Sequence, residues 1–424
     1  MIKEDFLHYL WKLKKIDFSG LTTTDNEEVT ILDFGSYNTD SGPDFFNAKV
    51  KINDTIWAGN IEMHVFSSDW IKHKHHQDPA YNNVILHVVY EEDIKIRSNT
   101  NTELPTIELK NRIFKNDLKN YKLLKFNTNW IPCEKAFSQV SSLSIENALE
   151  KALINRLINK SEHLKGILEE KENDWDEAFY IFLSRYFGMK TNSDAFETLA
   201  KKLPYKIILK EKDDLNKIEA LLFGQAGMLN EIFNDEYPLF LKNEYEHLKN
   251  KYQLTPIPVS MWKFSKLRPL NFPTIRISQF ANILFNQDHL FRNVFECDNI
   301  DCLVKIFKTK INSYWENHFT FDEKSINKKK PIGKKSIEIL IINAVIPALF
   351  YFGHVNNESQ YKEKAVDLLL NLPAESNSII NKWRKLDIEI SSAYDSQALL
   401  ELKQNYCDKK RCLECPIGNE IMNK

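Results

Sequence analysis

Glycine is scarce in this chain, at 11 of 424 residues, and proline numbers only 14. That poverty excludes long low-complexity linkers. An excess of one charge is also missing. The chain has 57 Lys and Arg against 59 Asp and Glu, a net charge of −2, so it lacks the global basic signature of a bulk nucleic-acid binder. No clean apolar run is present either. The greasiest stretch, 337–355, contains Glu338, Asn343 and Pro347. A membrane span would not carry a charge and an amide without partners, so a buried helix is expected there and no membrane role. The opening MIKEDFLHYLWK places acids where a secretory signal needs a basic flank. With six cysteines and no such signal, the expected location is the reducing cytoplasm.

What is there suits a globular protein of two or three domains: 43% hydrophobic and 27% charged residues. Charge is uneven along the chain. Residues 1–110 hold 11 basic against 18 acidic side chains, and the remainder 46 against 41. Residues 2–15 place Ile2, Phe6, Tyr9, Leu10 and Leu13 at helical spacing. Strands are expected over 29–34, 45–52, 55–65, 83–90 and 103–109, with a turn at Asn53-Asp54. From about Ser141 the period becomes helical, over 145–168, 175–187, 195–203, 215–233, 240–252, 275–285, 294–314, 336–352, 359–372, 376–386 and 391–405. The fold class is therefore α+β: a mixed α/β domain at 1–130, a helical domain at 131–405 of one or two subdomains, and a cysteine tail at 406–424.

The densest chemistry lies between Gly42 and His87, which holds five of the eleven histidines with Asp44, Glu62, Asp69 and Asp78. Alternation on a strand puts Glu62 and His64 on one face. The turn at 53–54 places position 44 across from about 62, to within one residue of register, so a single bulge decides whether Asp44 and Glu62 converge. Two close carboxylates need a cation between them. Oxygen donors favour Mg²⁺ or Mn²⁺, which would activate water for phosphodiester attack. Asp69, His73, His75 and Asp78 in the following loop form a second ligand set, suited to a zinc hydrolase. For His76 and His87, a surface and a core role respectively are the simpler expectation.

Gly42-Pro43-Asp44 followed by Glu62-Met63-His64, within a helix–strand–strand–strand–link–strand order, resembles the PD-(D/E)XK nucleases. That resemblance implies a restriction-endonuclease-like core in which Asp44 and Glu62 hold metal. His64 stands where the family carries a lysine, and Lys72 or Lys74 could replace that lysine from the loop. The His-rich loop is also similar to that of very-short-patch repair endonucleases. Over nearly its full length the chain resembles a bacterial family of unknown function. GPDF, GNIEMHVFSSDWIKHKH, ILHVV, FGQAG at 223–227, RPLNFPTIRISQ at 268–279 and CLECPIG at 412–418 carry this likeness.

Cys407-X4-Cys412-X2-Cys415 has the spacing of a zinc or iron–sulfur site, with Cys133 the preferred fourth ligand and Cys297 or Cys302 the alternatives. A cluster joining a nuclease core to a distant C-terminal segment resembles the iron–sulfur nucleases linked to helicases and CRISPR systems. In those, one cysteine precedes the core, whereas Cys133 follows it. Trp262, Lys263, Arg268 and Arg276 mix cations with an aromatic, as a nucleic-acid contact surface does. The lysine run 328–335 lacks the first glycine of a phosphate-binding loop, so no nucleotide cofactor is expected. The function these features suggest is a metal-dependent nuclease. The alternatives are a non-catalytic nucleic-acid or protein binding module on the same core, and a zinc hydrolase using the histidine loop.

Overall fold

A computed structural model describes residues 2–98 and 101–424. The chain forms two units. One comprises residues up to 148 together with 402–424, and the other comprises 149–401. The first unit thus extends past residue 130, and the C-terminal segment belongs to it rather than standing apart.

In the first unit, helix α1 (Glu4–Lys12) buries Phe6, Leu7, Leu10 and Trp11. The indole of Trp11 donates to the Phe34 carbonyl at 3.2 Å. Strands β1 (Val29–Asp33), β2 (Ser36–Tyr37), β3 (Phe45–Ile52), β4 (Thr55–Phe66), β5 (Val84–Glu91) and β6 (Thr106–Glu108) make one mixed sheet in the order β1-β3-β4-β5-β6, with β2 beside β3. The β1–β3 and β3–β4 pairs are antiparallel, whereas β4–β5 and β5–β6 are parallel. The parallel step needs a crossover, and residues 67–83 supply it through the short helix α2 (Asp69–Lys72) and two 3-10 turns. β5 is buried from Val84 to Val89, as its unbroken apolar run demands. Helix α3 (Lys115–Lys125), which the strand-by-strand pattern did not suggest, stacks Tyr121 on Phe6 at 4.1 Å.

The second unit is helical, and most expected helices occur within a residue or two of their expected bounds. Two differ. The helix expected over 215–233 ends at Gln225, because Gly227 takes φ +72° and turns the chain. Beside that turn Gly224 packs so closely on Tyr245 that a Cβ would lie 2.0 Å from its ring. The helix expected over 294–314 is instead two short ones, Leu290–Glu296 and Ile300–Phe307. Cys297, at the end of the first, forms a disulfide with Cys302 in the second. Bonded to each other, they are not ligands for the cysteine tail, and the chain does not hold all six cysteines as thiols. Among the described residues one helix, Lys334–Val355, is long and apolar enough to cross a membrane by length and composition, but 61% of its 18-residue apolar window is buried in the fold.

Candidate metal centre

The strand pair β3–β4 decides the site. Near the hairpin Ile52 pairs with Thr55 and Ala48 with Gly59, but further along Phe45 pairs with Ile61. The one-residue shift is a bulge at Phe46–Asn47, where Asn47 adopts φ +59°. Unbulged, the hairpin register would set Asp44 opposite Met63; the bulge sets it opposite Glu62. The backbone N–H of Asp44 then donates to Glu62 Oε2 at 3.1 Å, and that of Met63 donates to Asp44 Oδ2 at 2.9 Å. Each carboxylate is thereby fixed by the opposite strand.

The crossover brings the loop histidines onto the same strand. Ser67 and Ser68 anchor its start by hydrogen bonds to Asp93 and to the Ile94 carbonyl. Trp70, 1% exposed, packs into a small core with Val84, Ile96 and Leu104. Lys74 takes φ +64°, which folds the chain back on itself. His75 is therefore buried, stacked on the Tyr81 ring at 3.8 Å and edge-on to Trp70 at 5.4 Å. One ligand atom from each of His64, His73 and His75 lies within 4.8 Å of the others. The Nε2 of His64 is 3.2 Å from His73 Nδ1 and 3.6 Å from Glu62 Oε1. The Nε2 of His75 is 3.2 Å from Glu62 Oε1, yet it has no partner in hydrogen-bonding geometry.

Burial dominates the electrostatics of the group. Burial, and then the neighbouring Asp44 carboxylate, push Glu62 up to about 9. Burial drives His64 far below its usual value, and His87, His75 and His73 add to the effect. Burial lowers His75 as well and brings His87 to about 3. The imidazoles of His64, His75 and His87 are thus neutral, with lone pairs to offer. His87 Nε2 lies 2.8 Å from His64 Nδ1, which links the two tautomers and sets the direction of the His64 ring.

The remaining expected residues are placed as follows. Asp44 sits beside this group and faces His8 Nε2 at 3.1 Å, off hydrogen-bond geometry. Burial opposes the charging of His8, but Asp44, Glu4 and Glu62 outweigh it and its pKa is raised. Asp69 accepts from the Phe66 N–H at 3.0 Å and pairs with Lys72 at 2.7 Å, and Asp78 caps Ala80; both shape the loop. Lys72 and Lys74 are exposed, and Lys72 is committed to Asp69. In the second unit Trp262 is buried and donates to the Ala226 carbonyl at 2.8 Å. Arg276 is also buried, bonded to Asn271, Gln279 and Ser336, and burial lowers it to about 10. Neither presents a face to a nucleic acid, because each is spent on joining its own helices; Lys263 and Arg268 remain exposed.

Glu4, His8 and Tyr81 join the site without having been singled out in the sequence. Glu4 and His8 lie four residues apart on α1, the spacing of one helical face. Burial, the largest influence, raises Glu4, while His73, His8 and Asp44 also act on it. That pair was a readable signal. Tyr81 was not, since its role is to stack on His75.

A family model described as protein of unknown function (DUF2851) matches residues 4–378. The chain belongs to that family. No curated protein and no solved structure matches it. The DUF2851 match includes every residue of the histidine–carboxylate site and stops short of Cys407.

Proposed function

We propose that this DUF2851 protein is a metal-dependent hydrolase with Glu62, His64, His73 and His75 as its metal ligands, acting on phosphodiesters. One observation carries the reading: three imidazole nitrogens converge beside a buried carboxylate, and the His75 nitrogen nearest that carboxylate has no hydrogen-bond partner. Buried polar groups are ordinarily satisfied, so an unpaired nitrogen facing other donors is the geometry a cation completes. An imidazole-rich set favours Zn²⁺, Mn²⁺ or Fe²⁺ over Mg²⁺, which prefers oxygen donors. Such an ion lowers the pKa of a bound water toward neutrality. His8, kept basic by Asp44, is the group placed to hold a proton at Nε2 beside it.

The phosphodiester substrate class rests on the sequence resemblance and on topology. In support, a helix, antiparallel strands, a link and a parallel strand follow one another in the first unit, and Asp44 and Glu62 face each other across the β3–β4 pair. His64 at the PD-(D/E)XK lysine position supplies a neutral nitrogen where a fixed cation would stand, and this favours a second reading: a module that binds nucleic acid without cleaving it.

Both are tested with anaerobically purified protein, supplied with Zn²⁺, Mn²⁺, Fe²⁺ or Mg²⁺ and offered single- and double-stranded DNA and RNA. Cleavage that disappears in Glu62→Gln and His75→Ala is expected. Salt-dependent binding with no turnover under any metal selects the module instead.

A further inference from the structure

The segment 402–424 returns to the sheet-bearing unit through a π-helical turn over Leu402–Cys407 and a 3-10 turn over Cys412–Glu414. It closes with the helix Pro416–Met422. Asn120 Nδ2 donates to the Ile421 carbonyl at 3.0 Å, and the Ser141 N–H donates to the Glu420 carboxylate. This return brings Cys407, Cys412 and Cys415 around one cavity of about 20 Å³ with Cys133, walled by Tyr406 and Pro132. None of the four is in a disulfide. A Cβ on Gly418 would lie 2.0 Å from the Cys412 carbonyl oxygen, so the cysteine loop closes directly onto the last helix.

The sulfurs lie close enough to act on one another: Cys415 on Cys133 and on Cys412, and Cys133 on Cys407. Lys403 lies near Cys407, and Lys125 and Lys410 lie near Cys412, where positive charge offsets that of bound thiolates.

We propose that Cys133, Cys407, Cys412 and Cys415 ligate an iron–sulfur cluster that fastens the returning segment to the sheet-bearing unit. A lone Zn²⁺ bonds sulfur at about 2.3 Å and so draws its four ligands into a tight group. Among the described residues, the donor group gathered within 4.8 Å is the imidazole trio, not a set of thiols. Among the described residues the four cysteine sulfurs are not gathered that closely, and the wider spacing is the one that irons bridged by sulfide take up. The proposal is independent of the hydrolase reading, since no residue is shared between the two sites.

The full chain, purified anaerobically, is expected to contain iron and acid-labile sulfide in equal amounts, with visible charge-transfer absorption. That absorption should vanish in Cys412→Ser and persist in His75→Ala and in Cys297→Ser. Should Cys412→Ser fail to fold, iron chelation of the wild type gives the same answer. Alkylation of Cys133, Cys407, Cys412 and Cys415 should be blocked before chelation and open after it. Zinc without sulfide, iron retained in Cys412→Ser, or alkylation indifferent to chelation would each overturn the proposal.

Discussion

Replacing His75 by alanine separates the packing role of this residue from its role as a ligand. Without metal, two effects oppose each other. The variant loses the Tyr81 stack and the Trp70 edge contact, each an aromatic pair contributing about 1 kcal/mol. It also removes a buried nitrogen that has no hydrogen-bond partner, and relief of such a group is about 1–3 kcal/mol. The metal-free proteins should therefore melt close together. With metal they should part. Loss of one ligand from a four-donor set, taken as roughly a hundredfold in affinity, is about 2.7 kcal/mol of linked stability at saturating metal. For a unit of this size that is a gap of roughly 5–10 °C. The assay is a thermal melt of wild type and variant across a Zn²⁺ and Mn²⁺ titration, with His76→Ala as a control that should follow the wild type. If metal raised both melting temperatures equally, or neither, the assignment of His75 as a ligand would be refuted.

Three other outcomes follow from the same chemistry. Because Glu62 sits near 9 in the metal-free protein, it is protonated at pH 7; binding of a divalent ion should expel close to one proton, and calorimetry in buffers of different ionisation enthalpy should find that release gone in Glu62→Gln. Asn47→Val forces a β-branched residue into φ +59° and should cost about 1–3 kcal/mol or shift the register, read by denaturation and by loss of metal binding, whereas Asn47→Gly should keep both. In the second unit burial raises Glu219 to about 7, while Ser278 and Asn312 donate to its carboxylate. The folded form holds its proton to higher pH than the unfolded form, so stability falls as pH rises from about 4.5 through 7, by up to about 3 kcal/mol; Glu219→Gln should flatten that slope in urea melts between pH 5 and 8, and an unchanged slope would place the titration elsewhere.

The sequence was most legible where periodicity and local chemistry agree. Strand β3 and the helix Trp175–Phe187 have the bounds their patterns predict, the strand because its alternation maps onto a buried face and the helix because its apolar run is buried from Ala178 to Ser184. The pairing of Asp44 with Glu62 could be narrowed to one residue, but the bulge that settles it depends on Asn47, whose left-handed conformation leaves no mark in a run of strand formers. The strand and loop ligands read as two separate sets, because nothing local says that Trp70 anchors the loop against β5 and turns His73 and His75 toward His64. Trp262 and Arg276 misled for a related reason. A cation or an indole on a helix has the same composition whether it faces solvent or a neighbouring carbonyl, and only long-range packing decides.

The return of residues 402–424 to the first unit also sets an order of events during synthesis. Asn120 and Ile421, which bond to each other, are 301 positions apart, and the whole helical unit is translated between them. The sheet, its bulge and the histidine loop can form while the ribosome is still extending the chain. The cavity at Cys133 cannot close until residues 407–415 emerge. While residues 149–401 are being made, Cys133 therefore stays an open thiol beside a sheet whose strands are already synthesised, and the segment after them completes that unit.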